Sequence, residues 1–126
     1  MQRLLLDTHT LLWALASPSE LRPQARTAIA EPENLVHVSI ASLWECTIKA
    51  SIGKLDLPDD FFAVIQRGGY RLLPIQVADL DELRTLPMHH RDPFDRLLVA
   101  QARVLGLTLL TRDNAISQYD VRLLGS

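Results

Sequence analysis

The stretch Leu4-Leu5-Leu6-Asp7-Thr8-His9-Thr10-Leu11-Leu12-Trp13 begins with an apolar run, breaks at an acid and turns apolar again. The first run has the length of a buried strand and the block up to Ala16 that of a short helix. The pattern therefore predicts a strand over 3–6 followed at once by a helix over 8–16. Near the other end, Leu107-Thr108-Leu109-Leu110-Thr111 is another such run, with Arg112 and then Asp113 behind it. Asp7 and Asp113 thus both stand at the carboxyl ends of expected buried strands. In an open α/β sheet, that edge is where ligands bind.

Between these runs, strands are predicted over 35–38 and 70–75, with a last one over 121–124. Helices are predicted over 19–30, 39–52, 58–67, 77–86 and 93–105, with a short turn after Asp113. Pro32 closes a helix, Gly53 suits a C-terminal cap, Pro58-Asp59-Asp60 opens a helix and Gly68-Gly69 breaks the chain before a strand. This alternation predicts an α/β fold with a mainly parallel central sheet and helices on both faces. With 126 residues and no repeat, low-complexity tract or linker, a single domain over 1–126 is expected.

Hydrophobic residues make up 48% and mean hydropathy is +0.08, apolar enough to suggest that a partner covers some surface. The block from Leu11 to Ala16 is too continuous for one face of a surface helix. It points either to a second chain or to burial on two sides within the domain, and Trp44, Phe61 and Phe62 pose the same choice. A formal net charge of −2 excludes a global field drawing the chain onto nucleic acid, so any phosphate contact must be local. Lys49 and Lys54 are the only lysines. The excess of arginine fits bidentate phosphate contacts or plain codon composition, and decides nothing. Cys46 is alone, which excludes an intrachain disulfide, and it reads as packing because no His and Asn or Asp motif frames it as a nucleophile. There is no signal-peptide pattern and no apolar stretch near the roughly 20 residues needed to span a bilayer, so a cytoplasmic protein is expected.

Two further acids join the first pair. Asp95 lies in the first turn of the 93–105 helix, which in this architecture begins at the same sheet edge. Glu45 shares a helical stripe with Ala41, Ile48 and Ile52, which draws its carboxylate toward the packed side. A charge there needs a partner. Each acid also has a local reading. Asp7 and Asp113 suit caps or Asx turns, Asp92-Pro93-Phe94-Asp95 suits an N-cap, N1 proline and acidic N3, and Glu45 can pair with Lys49 one turn on. None of these explains why all four are expected at one edge. His9, His37, His89 and His90 read as satisfying local hydrogen bonds, with His9 the nearest in sequence to an acid of the set.

The residues from Leu5 to Trp13 resemble the opening motif of PIN-domain proteins of the VapC toxin type. Ser39-Ile40-Ala41-Ser42-Leu43-Trp44-Glu45 resembles that family's second acidic motif, and the segment from His90 to Ala102 its third. Leu110-Thr111-Arg112-Asp113 resembles the fourth, so the ordered matches span nearly the whole chain. The resemblance implies a three-layer α/β/α sandwich acting as a metal-dependent ribonuclease, the toxin of a bacterial toxin–antitoxin pair. It further implies a homodimer, alone or within a larger toxin–antitoxin assembly, and a VapB-like antitoxin whose tail occupies the active groove. The catalytic set it implies is Asp7, Glu45, Asp95 and Asp113, with Thr8 and Thr111 as supporting hydroxyls and Asp92 as an assisting acid ranked below Asp95.

Phosphodiester hydrolysis needs charge neutralisation at phosphorus, an activated water and help for the leaving oxygen, which divalent ions supply. Carboxylate ligands suit Mg²⁺ or Mn²⁺, whereas a structural zinc site would favour the Cys and His ligands that a single cysteine cannot build. Asp7 and Asp95 are expected to hold the principal ion, with Glu45 and Asp113 completing the pocket or orienting water. Arg91, Arg96, Arg112, Lys49 and Lys54 are candidate phosphate contacts on an RNA substrate. An aspartyl-nucleophile mechanism like that of haloacid-dehalogenase phosphatases expects a second Asp two residues after Asp7, where His9 stands. A noncatalytic interaction module is the other alternative, and the intact acids weigh against it.

Overall fold

The computed structural model describes residues 1–126. Its strands are β1 (Arg3–Leu6), β2 (Leu35–Ser39), β3 (Arg71–Leu73), β4 (Thr108–Thr111) and β5 (Leu123–Gly125). Its α-helices are α1 (Thr8–Ala16), α2 (Pro23–Ala30), α3 (Ile40–Ser51), α4 (Phe61–Arg67), α5 (Val77–Thr85) and α6 (Pro93–Leu105), with short 3-10 turns at Pro18–Glu20 and Ile116–Gln118.

The strands form one sheet in the order β3-β2-β1-β4-β5, and every neighbouring pair is parallel. All carboxyl ends therefore share one edge. Parallel crossovers are right-handed, so stepping from β1 through β2 to β3 lays the intervening helices on one face. The return to β4 on the far side of β1 lays the next ones on the other face. The core follows this division: Leu4 and Leu6 of β1 pack with Leu11, Ala25, Leu43, Cys46, Phe61 and Ile65, while Leu5 packs with Leu98, Val99, Ala102, Ile116 and Tyr119. Successive side chains on a strand point to opposite faces, so a strand covered on both sides reads as an unbroken apolar run. Each fully buried leucine contributes about 1.5–3 kcal/mol relative to exposure. The result is a three-layer α/β/α sandwich.

Several boundaries differ from the sequence reading. The helix expected over 19–30 is a 3-10 turn followed by α2, because Pro23 occupies the first position of a helix and has no N–H to donate inside a longer one. The Pro58-Asp59-Asp60 signal lies ahead of α4, which starts only at Phe61, with Asp60 at its N-cap. β3 is shorter than the 70–75 expected, and β5 starts two residues later and ends one residue later than the 121–124 expected. The stripe assigned to Glu45 is packed only in part: Ala41 and Glu45 are buried, but Ile48 and Ile52 are 37% and 59% exposed. Gly53 does cap α3, with a φ of 76° and a Schellman pair in which Gly53 and Lys54 donate to the carbonyls of Ala50 and Lys49.

Candidate active site

β1 lies at the point where the chain's connections reverse direction, toward β2 on one side and β4 on the other. A crevice opens there at the carboxyl edge. It holds a cavity of about 410 Å³ walled by Asp7, Thr8, His9, Trp13, Glu45, Lys49, His90, Asp92, Asp95, Arg112 and Asp113. Trp13 is the only apolar side chain among them, and five carboxylates face two fixed cations, Lys49 and Arg112. The acids that the sequence places on separate segments all reach this one space.

Each is positioned by its element. Asp7 ends β1 and caps α1, its Oδ1 accepting the Thr10 N–H at 2.8 Å, and its second oxygen has no protein partner. Glu45 is delivered from α3, where its Oε1 accepts from the Thr8 hydroxyl at 2.7 Å and its Oε2 pairs with Lys49 at 2.9 Å. Both Glu45 oxygens are thereby engaged. Asp92 is the N-cap of α6, accepting from the Phe94 N–H at 2.8 Å, and this sets Asp95 at the third helical position facing the cavity. Asp113 follows β4: its N–H donates to the Thr111 hydroxyl at 3.1 Å, and its Oδ1 accepts from Ala115 at 2.9 Å.

The electrostatics are uneven. Burial first, then the charges of Asp92 and Asp7, push the Asp95 carboxyl from 3.8 up to about 7, against the opposing pull of His90. Burial also raises Asp113, but hydrogen bonds from His90 and Ala115 outweigh it and hold that carboxyl below its ordinary value. The hydrogen bond to Glu45 raises the Lys49 ammonium. Burial and the Glu45 charge push the Cys46 thiol up to about 11, which suits packing and not nucleophilic attack.

His9 and His90 both line the cavity although the sequence reading gave them only local hydrogen bonds, and His90 is the one that meets the acids. Its Nε2 lies 2.7 Å from Asp113 Oδ2 and 3.1 Å from Asp95 Oδ2, so it sits among the carboxylates and is not spent on a merely local bond. The available signal was its place two residues before the Asp92 cap, in the loop that enters α6 at the ligand edge. Of the cationic candidates, Lys49 and Arg112 reach the cavity, and Arg91, Arg96 and Lys54 do not line it. Arg96 instead donates to the Leu86 carbonyl at 3.1 Å. Arg112 lies over the Trp13 ring at 4.0 Å and donates to the carbonyls of Glu20 and Ser126 at 2.6 Å each, so much of its donor capacity is structural.

The donor set fits a hard divalent cation: a crowd of carboxylates, one oxygen of Asp7 left free, and no cysteine in the wall. Asp95, Asp113 and His90 each offer a ligand atom within 4.8 Å of the others, while Asp7 and Glu45 stand outside that tightest group.

The profile described as PIN domain matches residues 4–122. Among solved structures, the chain is similar to VapBC2 from Rickettsia felis bound to a DNA fragment from their promoter, with TM-score 0.78 and 13% identity over 99% of both chains. It is also similar to DNA-bound VapBC from Salmonella typhimurium, with TM-score 0.71 and 17% identity over 99% of this chain and 98% of that one. A toxin–antitoxin complex from Klebsiella pneumoniae gives TM-score 0.60 and 16% identity over 95% and 94%. At such identities the likeness concerns the fold. No curated protein matches the chain.

Proposed function

The chain belongs to the PIN-domain family, and we propose that it is a divalent-metal-dependent endoribonuclease serving as the toxin of a VapBC-type toxin–antitoxin pair. The observation that carries the reading is the convergence of Asp7, Glu45, Asp95 and Asp113 on one cavity with an excess of negative charge. Asp7 and Asp95, with Asp113 beside them, would hold Mg²⁺ or Mn²⁺. When bound, the ion neutralises charge at the phosphoryl group and activates water for attack.

The chain's own residues do the remaining work. Glu45 is turned away from direct ligation by Thr8 and Lys49, and in that position it fixes the Lys49 ammonium at the cavity wall, where it can meet a phosphate oxygen. Arg112 presents a second positive edge to the same cavity. Thr111 holds the backbone of Asp113, and Asp92 holds the first turn of α6 that carries Asp95. RNA as the substrate rests on the motif resemblance.

An antitoxin partner is supported by the surface beside the cavity. Ile40, Trp44 and Ile48 of α3, with Ile52 just past its end, form an exposed apolar ridge, and Ile48, Pro93 and Phe94 line a groove that continues to Glu45, Lys49 and Asp92. A tail laid in that groove would end at the acidic cavity. The structural relatives from Rickettsia felis and Salmonella typhimurium are VapBC assemblies, which favours the same arrangement here. A homodimer is proposed on the resemblance. A cytoplasmic location fits this role, and no helix is long and apolar enough to cross a membrane.

The test is cleavage of an RNA pool with Mn²⁺ present or chelated, wild type against Asp95→Asn. Cleavage should require the ion and fall on the order of 100-fold or more in the variant, equivalent to about 2.7 kcal/mol of barrier. Undiminished cleavage in chelator, or wild-type rates from Asp95→Asn, would overturn the assignment.

A further inference from the structure

We propose that His90 is a positioning residue of the cation site, aiming the Asp113 carboxylate as a hydrogen-bond donor, with Asp95 in close contact, and not as a ligand to the ion. This rests on the cation reading above and assigns a role to a side chain outside the acidic set.

The direction of the bond from His90 to Asp113 follows from the other ring nitrogen. Nδ1 accepts the backbone N–H of Asp92 at 3.0 Å. A neutral imidazole carries one N–H, so with Nδ1 accepting, the proton belongs on Nε2, the atom 2.7 Å from Asp113 Oδ2 and 3.1 Å from Asp95 Oδ2. Ligating a cation through Nε2 would move that proton to Nδ1, where it would oppose the Asp92 N–H. The surroundings therefore select the donor form.

The ring is held from behind. The backbone N–H groups of His89 and His90 both donate to the Tyr119 hydroxyl oxygen, at 3.1 Å each, and Tyr119 is anchored in the core beneath α6. Asp113 needs such a brace. It is 40% exposed on the loop after β4, and His90 is the partner that fixes its Oδ2. By reaching Asp95 as well, His90 ties the β4 side of the crevice to the start of α6.

The experiment measures Mn²⁺ affinity by calorimetry and nitrogen coupling to bound Mn²⁺ by electron spin echo, using wild type, His90→Ala, His90→Gln and Asp7→Asn. Folding of each is checked by circular dichroism in chelator. His90→Ala should weaken Mn²⁺ binding about 10–100-fold, as loss of a residue that orients a ligand does. His90→Gln, whose amide N–H extends to about the same reach, should recover most of the affinity, and wild type should show no directly bonded nitrogen. If His90→Ala does not fold, His90→Asn replaces it, since that shorter amide cannot reach Asp113. Wild-type affinity in His90→Ala overturns the proposal, as does His90→Gln binding no better than His90→Ala. Directly bonded nitrogen in wild type that is lost in His90→Gln makes His90 a ligand and overturns it too. Asp7→Asn separates the two levels: if it binds Mn²⁺ like wild type, the cation reading itself falls. If it loses binding while His90→Ala keeps it, only the role of His90 falls.

Discussion

Asp95 is the group in the cavity whose ionisation costs the fold most in the absence of a cation. Its carboxyl keeps its proton up to about pH 7 when folded but loses it near 3.8 when free of its neighbours, so the folded state holds more protons in that window. Stability therefore falls as pH rises through it and levels off above it. Thermal melts in chelator should give a lower Tm at about pH 8 than at about pH 5, and Asp95→Asn should remove on the order of 5 °C of that difference, roughly 1 kcal/mol after solvent screening. An unchanged pH slope in Asp95→Asn would contradict this. Three of the four acidic residues were legible in the sequence because each sits where an element starts or stops: Asp7 after β1, Asp113 after β4, Asp95 in the first turn of α6, whereas Glu45, in the middle of α3, was read from its helical stripe. His90 was not legible, because its role is set by the Tyr119 hydroxyl gripping its loop from a residue far along the chain. Arg96 was one candidate phosphate contact among several, and local sequence does not reveal that its guanidinium turns back to the Leu86 carbonyl.

The N-terminus of α6 does two jobs that conflict. Asp92 caps the helix through its Oδ1, yet its charge also raises the Asp95 carboxyl. Substitutions can separate these effects. Asp92→Asn keeps a capping oxygen and removes the repulsion, so in chelator it should match or exceed wild-type stability. Asp92→Ala should fall below Asp92→Asn by about 1 kcal/mol, the usual value of an N-cap. Denaturant melts of the pair measure this, and equal midpoints for Ala and Asn would show that the cap contributes nothing. Strong local chemistry made some elements readable to the residue: α6 begins at Pro93 behind its Asp92 cap and ends at Gly106, whose φ of 67° few other residues tolerate. Where the signal was compositional, boundaries drifted. Pro23 cut one expected helix in two, and the short edge strands β3 and β5 take their limits from pairing with β2 and β4, which the residues alone do not encode.

At the scale of the whole molecule, the parallel sheet gathers carboxylates from both sides of its reversal point and holds them in one cavity. The core clusters on the two faces back that arrangement, and its repulsion is offset only in part by the charges of Lys49 and Arg112 and the hydrogen bond from His90. The layer order was legible from the apolar runs of β1 and β4. The crowding at the edge was legible only as an expectation, because distances between carboxylates depend on how the layers pack. A ligand that binds the folded state raises Tm, and a variant that relieves repulsion raises it without the ligand. The most direct test is a Mn²⁺ titration followed by thermal melting, wild type beside Asp7→Asn. Wild type should gain several degrees as the ion saturates, while Asp7→Asn should start at or above the wild-type apo Tm and respond weakly or not at all. A wild-type Tm indifferent to Mn²⁺, or an equal gain in both proteins, would contradict the shared cation site.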